Sequence, residues 1–71
     1  AYVKIDGSFI RKIDKSDDDK VFVKALSGVA QAYGKKTVAE SVESEEALTI
    51  LKEIGIDFVQ GYYIGDPAPL D

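Results

Sequence analysis

The apolar residues of this 71-residue chain alternate between two spacings, and this constrains the fold more than any other feature. Residues 1–6, 35–41 and 56–63 show the every-second-residue pattern of β-strands, whereas residues 16–34 and 44–55 show the spacing of amphipathic helices. The order β-α-β-α-β predicts three parallel strands joined by two right-handed crossover helices. The predicted fold class is therefore α/β, and both an α/β barrel and a doubly wound sheet remain open.

Both predicted helices carry signals at their ends. Ser16 and Ser44 are expected N-caps, because a serine hydroxyl accepts a hydrogen bond from a free N–H of the first turn. Gly34 and Gly55 are expected to end the helices in a left-handed conformation. The run Asp17–Asp19 suits the positive end of a helix dipole, and its spacing is not that of a calcium loop, so capping is favoured over metal binding.

Each helix should bury one apolar stripe against the sheet. In the first helix this stripe consists of Phe22, Leu26, Val29, Ala30 and Tyr33. In the second helix it consists of Ala47, Leu48, Leu51 and Ile54. After the third strand, turns are predicted by Gly61, Gly65, Pro67 and Pro69.

The composition limits the chemistry. The chain has no cysteine and no histidine, which excludes disulfides, thiolate zinc sites and the usual near-neutral general base. Any chemistry must use carboxylates, lysine, amides or hydroxyls. The net charge of −4 argues against nucleic-acid binding, and an anionic ligand would need a bridging cation. No apolar run approaches a membrane span and no cysteine is present, so we expect a cytoplasmic segment without membrane contact.

Polar residues stand where each predicted strand ends. Lys4 and Asp6 close the first strand, Glu40 closes the second, Gln60 closes the third, and Glu43 follows in the next loop. The carboxyl ends of parallel strands meet at one edge of the sheet, where ligands and catalytic groups collect in such folds. We therefore expect these side chains to converge on one site.

Each of these residues also has a purely structural interpretation. Lys4 and Asp6 could form a local ion pair on an exposed strand. Glu40 and Glu43 could simply favour the N-terminus of the following helix. Gln60 could be an ordinary edge residue. The alignment at three strand ends raises the functional interpretation to about equal weight with the structural one.

Three sequence motifs resemble one known family. The words "YVKIDGSFI" and "VAESVESEEALTILKEIGIDFVQGYYIGDPAPL" match the family's K-I-D, A-E-G-V-E and Q-G-Y motifs, followed by its G-x-P tail. The chain resembles the C-terminal part of the EAL domain, the bacterial cyclic-di-GMP phosphodiesterase module. The resemblance implies that residues 1–71 are a partial EAL domain, a β-α-β-α-β fragment of a TIM-like (β/α)8 barrel that supplies about the sixth to eighth strands.

The resemblance also implies a mechanism and roles. Two magnesium or manganese ions would hold a water that attacks one phosphodiester of cyclic-di-GMP, which gives linear pGpG. Lys4 and Glu40 match catalytic positions, and Glu40 is also the metal ligand. Gln60 and Asp6 match substrate-binding positions, and Glu43 matches the glutamate that anchors a mobile loop.

The chain departs from the family pattern in several places. Ser41 stands where glycine is usual, so a serine there would be strained if the backbone needs a left-handed angle. Asp66 stands where a basic residue is common. The E-A-L motif, an asparagine, the middle glutamate and the D-D-F-G-T-G loop are missing, and they hold most of the metal. We therefore expect a fragment that binds magnesium weakly and hydrolyses nothing alone.

A barrel fragment exposes surfaces that the barrel would cover. We expect a homo-oligomer that forms through exposed sheet edges or through the bare sheet face. The residues expected on that face are Tyr2, Lys4, Val38, Glu40, Phe58 and Gln60.

Two other functions remain open. The first is a fragment of a degenerate EAL domain that acts as a cyclic-di-GMP receptor or a protein-interaction module. The second is a small α/β assembly module without a ligand. The presence of Lys4, Glu40 and Gln60 favours the phosphodiesterase, because degenerate members often lose such residues.

Overall fold

The computed structural model describes residues 1–61 and 64–70. A 3-10 turn, Gly7–Phe9, follows the first strand. The strands and helices, in chain order, are β1 (Tyr2–Ile5), α1 (Asp17–Ala32), β2 (Lys36–Val42), α2 (Glu45–Ile54), β3 (Phe58–Gly61) and β4 (Ile64–Pro69).

The four strands form one sheet in the order β1-β2-β3-β4. The pairs β1–β2 and β2–β3 are parallel, which confirms the three parallel strands predicted from the sequence. Tyr62 and Tyr63, which were assigned to the third strand, lie outside the described residues.

The tail of the chain forms a strand that the sequence did not predict. β4 pairs antiparallel with β3, with Ala68 opposite Val59 and Pro69 opposite Phe58. The prediction of turns from Gly65, Pro67 and Pro69 was therefore wrong for this segment. Prolines are compatible with β4 because it is an edge strand, where one row of N–H groups has no strand to pair with.

The helix ends follow the predicted caps. The Ser16 hydroxyl accepts a hydrogen bond from the Asp19 N–H at 3.2 Å, and the Ser44 hydroxyl accepts one from the Ala47 N–H at 3.1 Å. Gly34 and Gly55 both have positive φ, 68° and 101°. These local contacts confirm both N-caps and both C-terminal stops.

Both helices cover the same face of the sheet and enclose one core. The stripe predicted for α2 is confirmed, since Ala47 and Leu51 are buried and Leu48 and Ile54 pack against the core. The buried core consists of Ile5, Ile10, Ile13, Val23, Ala39, Val42, Ala47, Leu51, Ile56 and Val59. Within the described part of the chain, neither helix has both the length and the apolar character needed to cross a membrane.

The buried side of α1 differs from the predicted stripe. Its buried residues are Val23, Ser27 and Ala30. Of the predicted residues, Phe22, Val29 and Tyr33 are 44%, 54% and 75% exposed. Ala30 is buried and Leu26 is half-buried, so the predicted stripe was wrong at three of its five positions.

The cause of this error is the position of α1 at one side of the sheet. Lys20 and Lys24 line a groove with Ile50 and Ile54 of α2, so this side of α1 faces α2. The predicted stripe lies on the opposite flank, because residues separated by three or four positions share one side of a helix. The sheet ends at β1 on this side of α1. Among the described residues, the flank of α1 is contacted by Phe9, whose ring stacks on Phe22, and no strand or helix covers it.

A hydrogen-bonded pair joins β2 to the residue that precedes β3. The Asp57 carboxylate accepts hydrogen bonds from the Thr37 N–H at 2.9 Å and from the Thr37 hydroxyl at 3.2 Å. In return, the Asp57 N–H donates to the Thr37 hydroxyl oxygen at 3.1 Å. Thr37 is fully buried, so this pair satisfies polar groups that have no access to water and fixes β2 against β3 at their amino ends.

We expect Asp57→Ala to lower the free energy of unfolding by about 1–3 kcal/mol, because it leaves the buried Thr37 N–H without an acceptor. Glu53→Ala is the matched control, since the Glu53 side chain is exposed and makes no hydrogen bond or ion pair among the described residues; it should change the free energy by less than about 0.5 kcal/mol. Chemical denaturation of both variants measures the difference. Equal effects in the two variants would contradict the role given to Asp57.

Candidate functional site

The sheet has one face covered by helices and one open face. Side chains alternate between the faces along each strand. The row that faces the helices consists of Ile5, Ala39 and Val59, which are paired across the three parallel strands and buried. The preceding row, on the open face, consists of Lys4, Val38 and Phe58.

Apart from Lys4, the part of the open face nearer the amino ends of the strands is apolar. Val38 is only 3% exposed although no helix lies over it. The rings of Tyr2 and Phe58 meet edge to face, with 5.6 Å between their centroids. These neighbours cover the centre of the face, so its polar residues are concentrated at the carboxyl ends of the strands.

Lys4, Glu40 and Gln60 lie on the open face at these carboxyl ends. Glu40 and Gln60 directly follow the paired residues Ala39 and Val59, so they are neighbours across two strands about 4.8 Å apart. Lys4 lies on the neighbouring strand β1, opposite Val38, which is two residues before Glu40. The Cα atoms of Lys4 and Glu40 are therefore about 8 Å apart along the diagonal. The backbone therefore brings together the three residues that the sequence predicted to converge.

The two charged residues of this group have no internal partner. Among the described residues, neither Lys4 nor Glu40 makes an ion pair or a side-chain hydrogen bond. The alternative of a Lys4–Asp6 ion pair is therefore wrong. Gln60 is half-buried and does have an interaction partner. The ammonium of Lys4, which is exposed, and the carboxylate of Glu40, which is half-buried, are both available to a ligand.

Asp6 lies at the same edge but has a local partner. Its carboxylate accepts a hydrogen bond from the Ser8 N–H at 3.2 Å and caps the 3-10 turn that follows β1. This contact holds the loop after β1 and uses one of the two carboxylate oxygens. The second oxygen remains available, because the side chain is exposed.

The helix-capping alternative does not explain Glu40. Glu40 lies within β2, and Ser44 is the N-cap of α2, with Glu45 and Glu46 in the first turn. Glu43 directly precedes the cap, is exposed, and makes no hydrogen bond or ion pair among the described residues. The needs of the α2 N-terminus are met by other residues.

A divalent metal fits this site only in part. The half-buried carboxylate of Glu40 has no partner within residues 1–61 and 64–70, and hard cations such as Mg²⁺ prefer oxygen ligands. However, the residues 1–61 and 64–70 contain no group of three or more acidic side chains that could together hold an ion. Glu40 can therefore supply one ligand, and the others would have to come from elsewhere.

The structure also shows site features that the sequence did not identify. Ser41 has φ 61°, so this position does need the left-handed angle that strains a residue with a Cβ, which the sequence left as a condition. Its side chain lies directly against Gly7. The sequence signal that could have pointed to this contact is Gly7 itself, the glycine that follows the K-I-D motif.

The model of the family described as "EAL domain" matches residues 1–67. This chain belongs to the EAL domain family. The resemblance drawn from the three motifs is therefore confirmed. The EAL match extends across all three parallel strands, both helices and the candidate site residues.

Individual relatives and structures agree with this assignment. The protein named cyclic di-GMP phosphodiesterase PdeB, from Shewanella oneidensis, is 45% identical over 69 residues, which are 97% of this chain and 8% of PdeB. The EAL enzyme Bd1971, in a form bound to cAMP and cyclic-di-GMP, superposes with a TM-score of 0.87 at 33% identity over 99% of this chain and 19% of Bd1971.

A third match is the Klebsiella pneumoniae protein BlrP1 in a complex with manganese and cyclic-di-GMP. It has a TM-score of 0.86 at 28% identity, over 97% of this chain and 18% of BlrP1. These superpositions on EAL enzymes confirm the predicted α/β fold class of a barrel fragment. The chain spans only 8% to 14% of the length of the curated EAL relatives it matches.

Proposed function

We propose that this chain is part of an EAL domain that hydrolyses cyclic-di-GMP to linear pGpG. Curated relatives with this named activity and EAL structures that contain the dinucleotide support the proposal. The segment would supply about the sixth to eighth strands of the barrel and would act in the cytoplasm, either free or tethered through other domains.

One observation carries this proposal. Lys4 and Glu40 lie on one face, at one end of adjacent parallel strands, and in the part of the chain that the structure describes neither side chain forms an ion pair or a hydrogen bond. In α/β folds, ligand-binding and catalytic groups collect at the carboxyl ends of parallel strands. Gln60 lies beside Glu40 on the next strand and adds an amide to the same edge.

Each residue would have a distinct task. The Lys4 ammonium would stabilise negative charge that develops on the phosphoryl oxygens. The Gln60 amide and the free oxygen of Asp6 would bind and orient the substrate. Glu43, in the connection to α2, would anchor the loop that borders the site.

The carboxylate of Glu40 would be the metal ligand supplied by this segment. Bound magnesium or manganese would supply positive charge that lowers the barrier to attack of water on phosphorus. The phosphorus–oxygen bond to one ribose breaks, the attacking water leaves its hydroxyl on the phosphate, and its proton ends on the released ribose oxygen. The remaining ligands would come from parts of the EAL domain outside residues 1–71.

In the complete domain, Glu40→Gln should lower cyclic-di-GMP turnover by at least about a hundredfold, because an amide binds a hard cation far less well than a carboxylate. The melting temperature should not change, since the Glu40 carboxylate has no partner in the fold. Glu46→Gln is the matched control, because Glu46 is exposed in the first turn of α2. Turnover measured by release of pGpG decides the matter.

Retained turnover in Glu40→Gln would overturn the role of Glu40. A complete domain that binds cyclic-di-GMP without cleaving it would instead support the degenerate receptor. A domain that neither binds nor cleaves it would support the assembly module.

The 71-residue chain alone should not bind cyclic-di-GMP tightly, even with millimolar magnesium, because one carboxylate leaves the ion with most of its waters. Isothermal titration calorimetry should therefore show no heat of tight binding. Binding with micromolar affinity would contradict the proposal that the site is completed by other segments.

The isolated chain should also self-associate through its free sheet edge or its open face. β1 is an edge strand, and its Tyr2 side chain is 62% exposed. Tyr2→Lys should weaken the association, because a charge beside a free edge opposes strand addition. Val21→Lys is the control, since Val21 is 68% exposed on α1, away from the open face. Sedimentation velocity that shows a folded monomer at micromolar concentration would contradict this proposal.

A further inference from the structure

β2 contains one extra residue just after Glu40. Ala39 pairs with Val59, but the next pair joins Val42 to Gly61, so β2 takes three steps where β3 takes two. Such an insertion is a β-bulge. Simple alternation would place Val42 on the open face beside Glu40, yet Val42 is 4% exposed within the helix-covered core. The bulge therefore makes Glu40 the last residue of β2 on the open face.

Ser41 is the residue that forms this bulge. Its φ of 61° lies in the left-handed region, which is unfavourable for a residue with a Cβ. A strained angle persists only when the surrounding structure holds it in place. The source of that constraint should therefore be visible around Ser41.

Two glycines on the flanking strand ends enclose the bulge. Gly7 is buried, and a Cβ added to it would lie 2.7 Å from the Ser41 Cβ, closer than real atoms pack. On the other side, a Cβ added to Gly61 would lie 2.5 Å from the Val42 nitrogen. The bulge thus fits only because neither neighbour has a side chain.

We propose that Gly7 and Ser41 are a positioning pair for Glu40. The Ser41 side chain rests on Gly7 and holds the bulge, and the bulge keeps the Glu40 carboxylate at the edge of the site. The same contact joins the end of β1, which carries Lys4, to the end of β2. Neither member of the pair touches substrate. The inference rests on the proposed function, because it explains the position of a residue assigned there.

The test is a double-substitution cycle in the complete EAL domain. Gly7→Ala should lower the melting temperature by about 4 °C or more, because the added methyl group displaces Ser41. It should also lower kcat about tenfold or more, with a smaller change in KM. The reason is that a displaced Glu40 impairs the chemical step more than it impairs substrate binding. Adding Ser41→Gly removes the opposing side chain, and the methyl group at position 7 then takes its place against the bulge, so both values should be restored.

Gly28→Ala is the matched control for the added methyl group. Gly28 lies in α1 and has open space around it, so this variant should keep the native kcat and should not lose stability. Ser41→Ala keeps the Ser41 Cβ and removes the hydroxyl oxygen, which lies nearest to Gly7, so it should relieve part of the crowding without loss of kcat. A fall in kcat at native melting temperature in Ser41→Ala would assign the role to the hydroxyl and overturn the positioning pair.

Other outcomes would overturn the inference while leaving the proposed function intact. These are native turnover and stability in Gly7→Ala, or a double variant that remains as impaired as Gly7→Ala alone. If instead the native domain does not hydrolyse cyclic-di-GMP, both the proposed function and the metal-binding role proposed for Glu40 are contradicted. The melting-temperature cycle would then still decide whether Gly7 and Ser41 are in contact.

Discussion

The parallel pairing of β1, β2 and β3 is the constraint on which the other features depend. Parallel strands begin at one edge of a sheet and end at the other, so residues that close different strands are forced to the same edge. Lys4, Glu40 and Gln60 meet only because Ile5, Ala39 and Val59 are paired across the three strands. The Thr37–Asp57 hydrogen bonds fix the same register at the opposite edge.

The two faces of the sheet separate stability from chemistry. The helix-covered face holds the apolar core, and its buried Thr37 is hydrogen-bonded to Asp57. On the open face, apolar contacts around Val38 support the strands, while Lys4 and Glu40 at the edge remain without partners among the described residues. Exposed charges add little to folding, so the position of Lys4 and Glu40 at the carboxyl ends of parallel strands is what distinguishes them from other surface charges. The bulge at Ser41 keeps the two faces distinct at the end of β2. Glu40 lies on the open face, and Val42, two residues later, lies in the core.

Membership of the EAL family agrees with this arrangement and explains its incompleteness. The chain spans 19% of Bd1971 and 8% of PdeB, and its own described carboxylates form no metal cluster. The apolar flank of α1 and the free edge of β1 lie on the same side of the fragment, where the sheet stops.

The sequence by itself determined the features that depend on near neighbours in the chain. The caps at Ser16 and Ser44, the order of the elements and the polar strand ends follow from hydrogen bonds and spacings within a few residues. The tertiary structure alone decided which flank of α1 is buried. The apolar periodicity of the sequence identifies an apolar side of the helix but does not show which other element packs against it. It also decided that residues 64–69 pair with β3 and that Ser41 rests on Gly7. These contacts join residues that are distant in sequence, and the backbone angle of Ser41 is set by that surrounding packing rather than by its own preference.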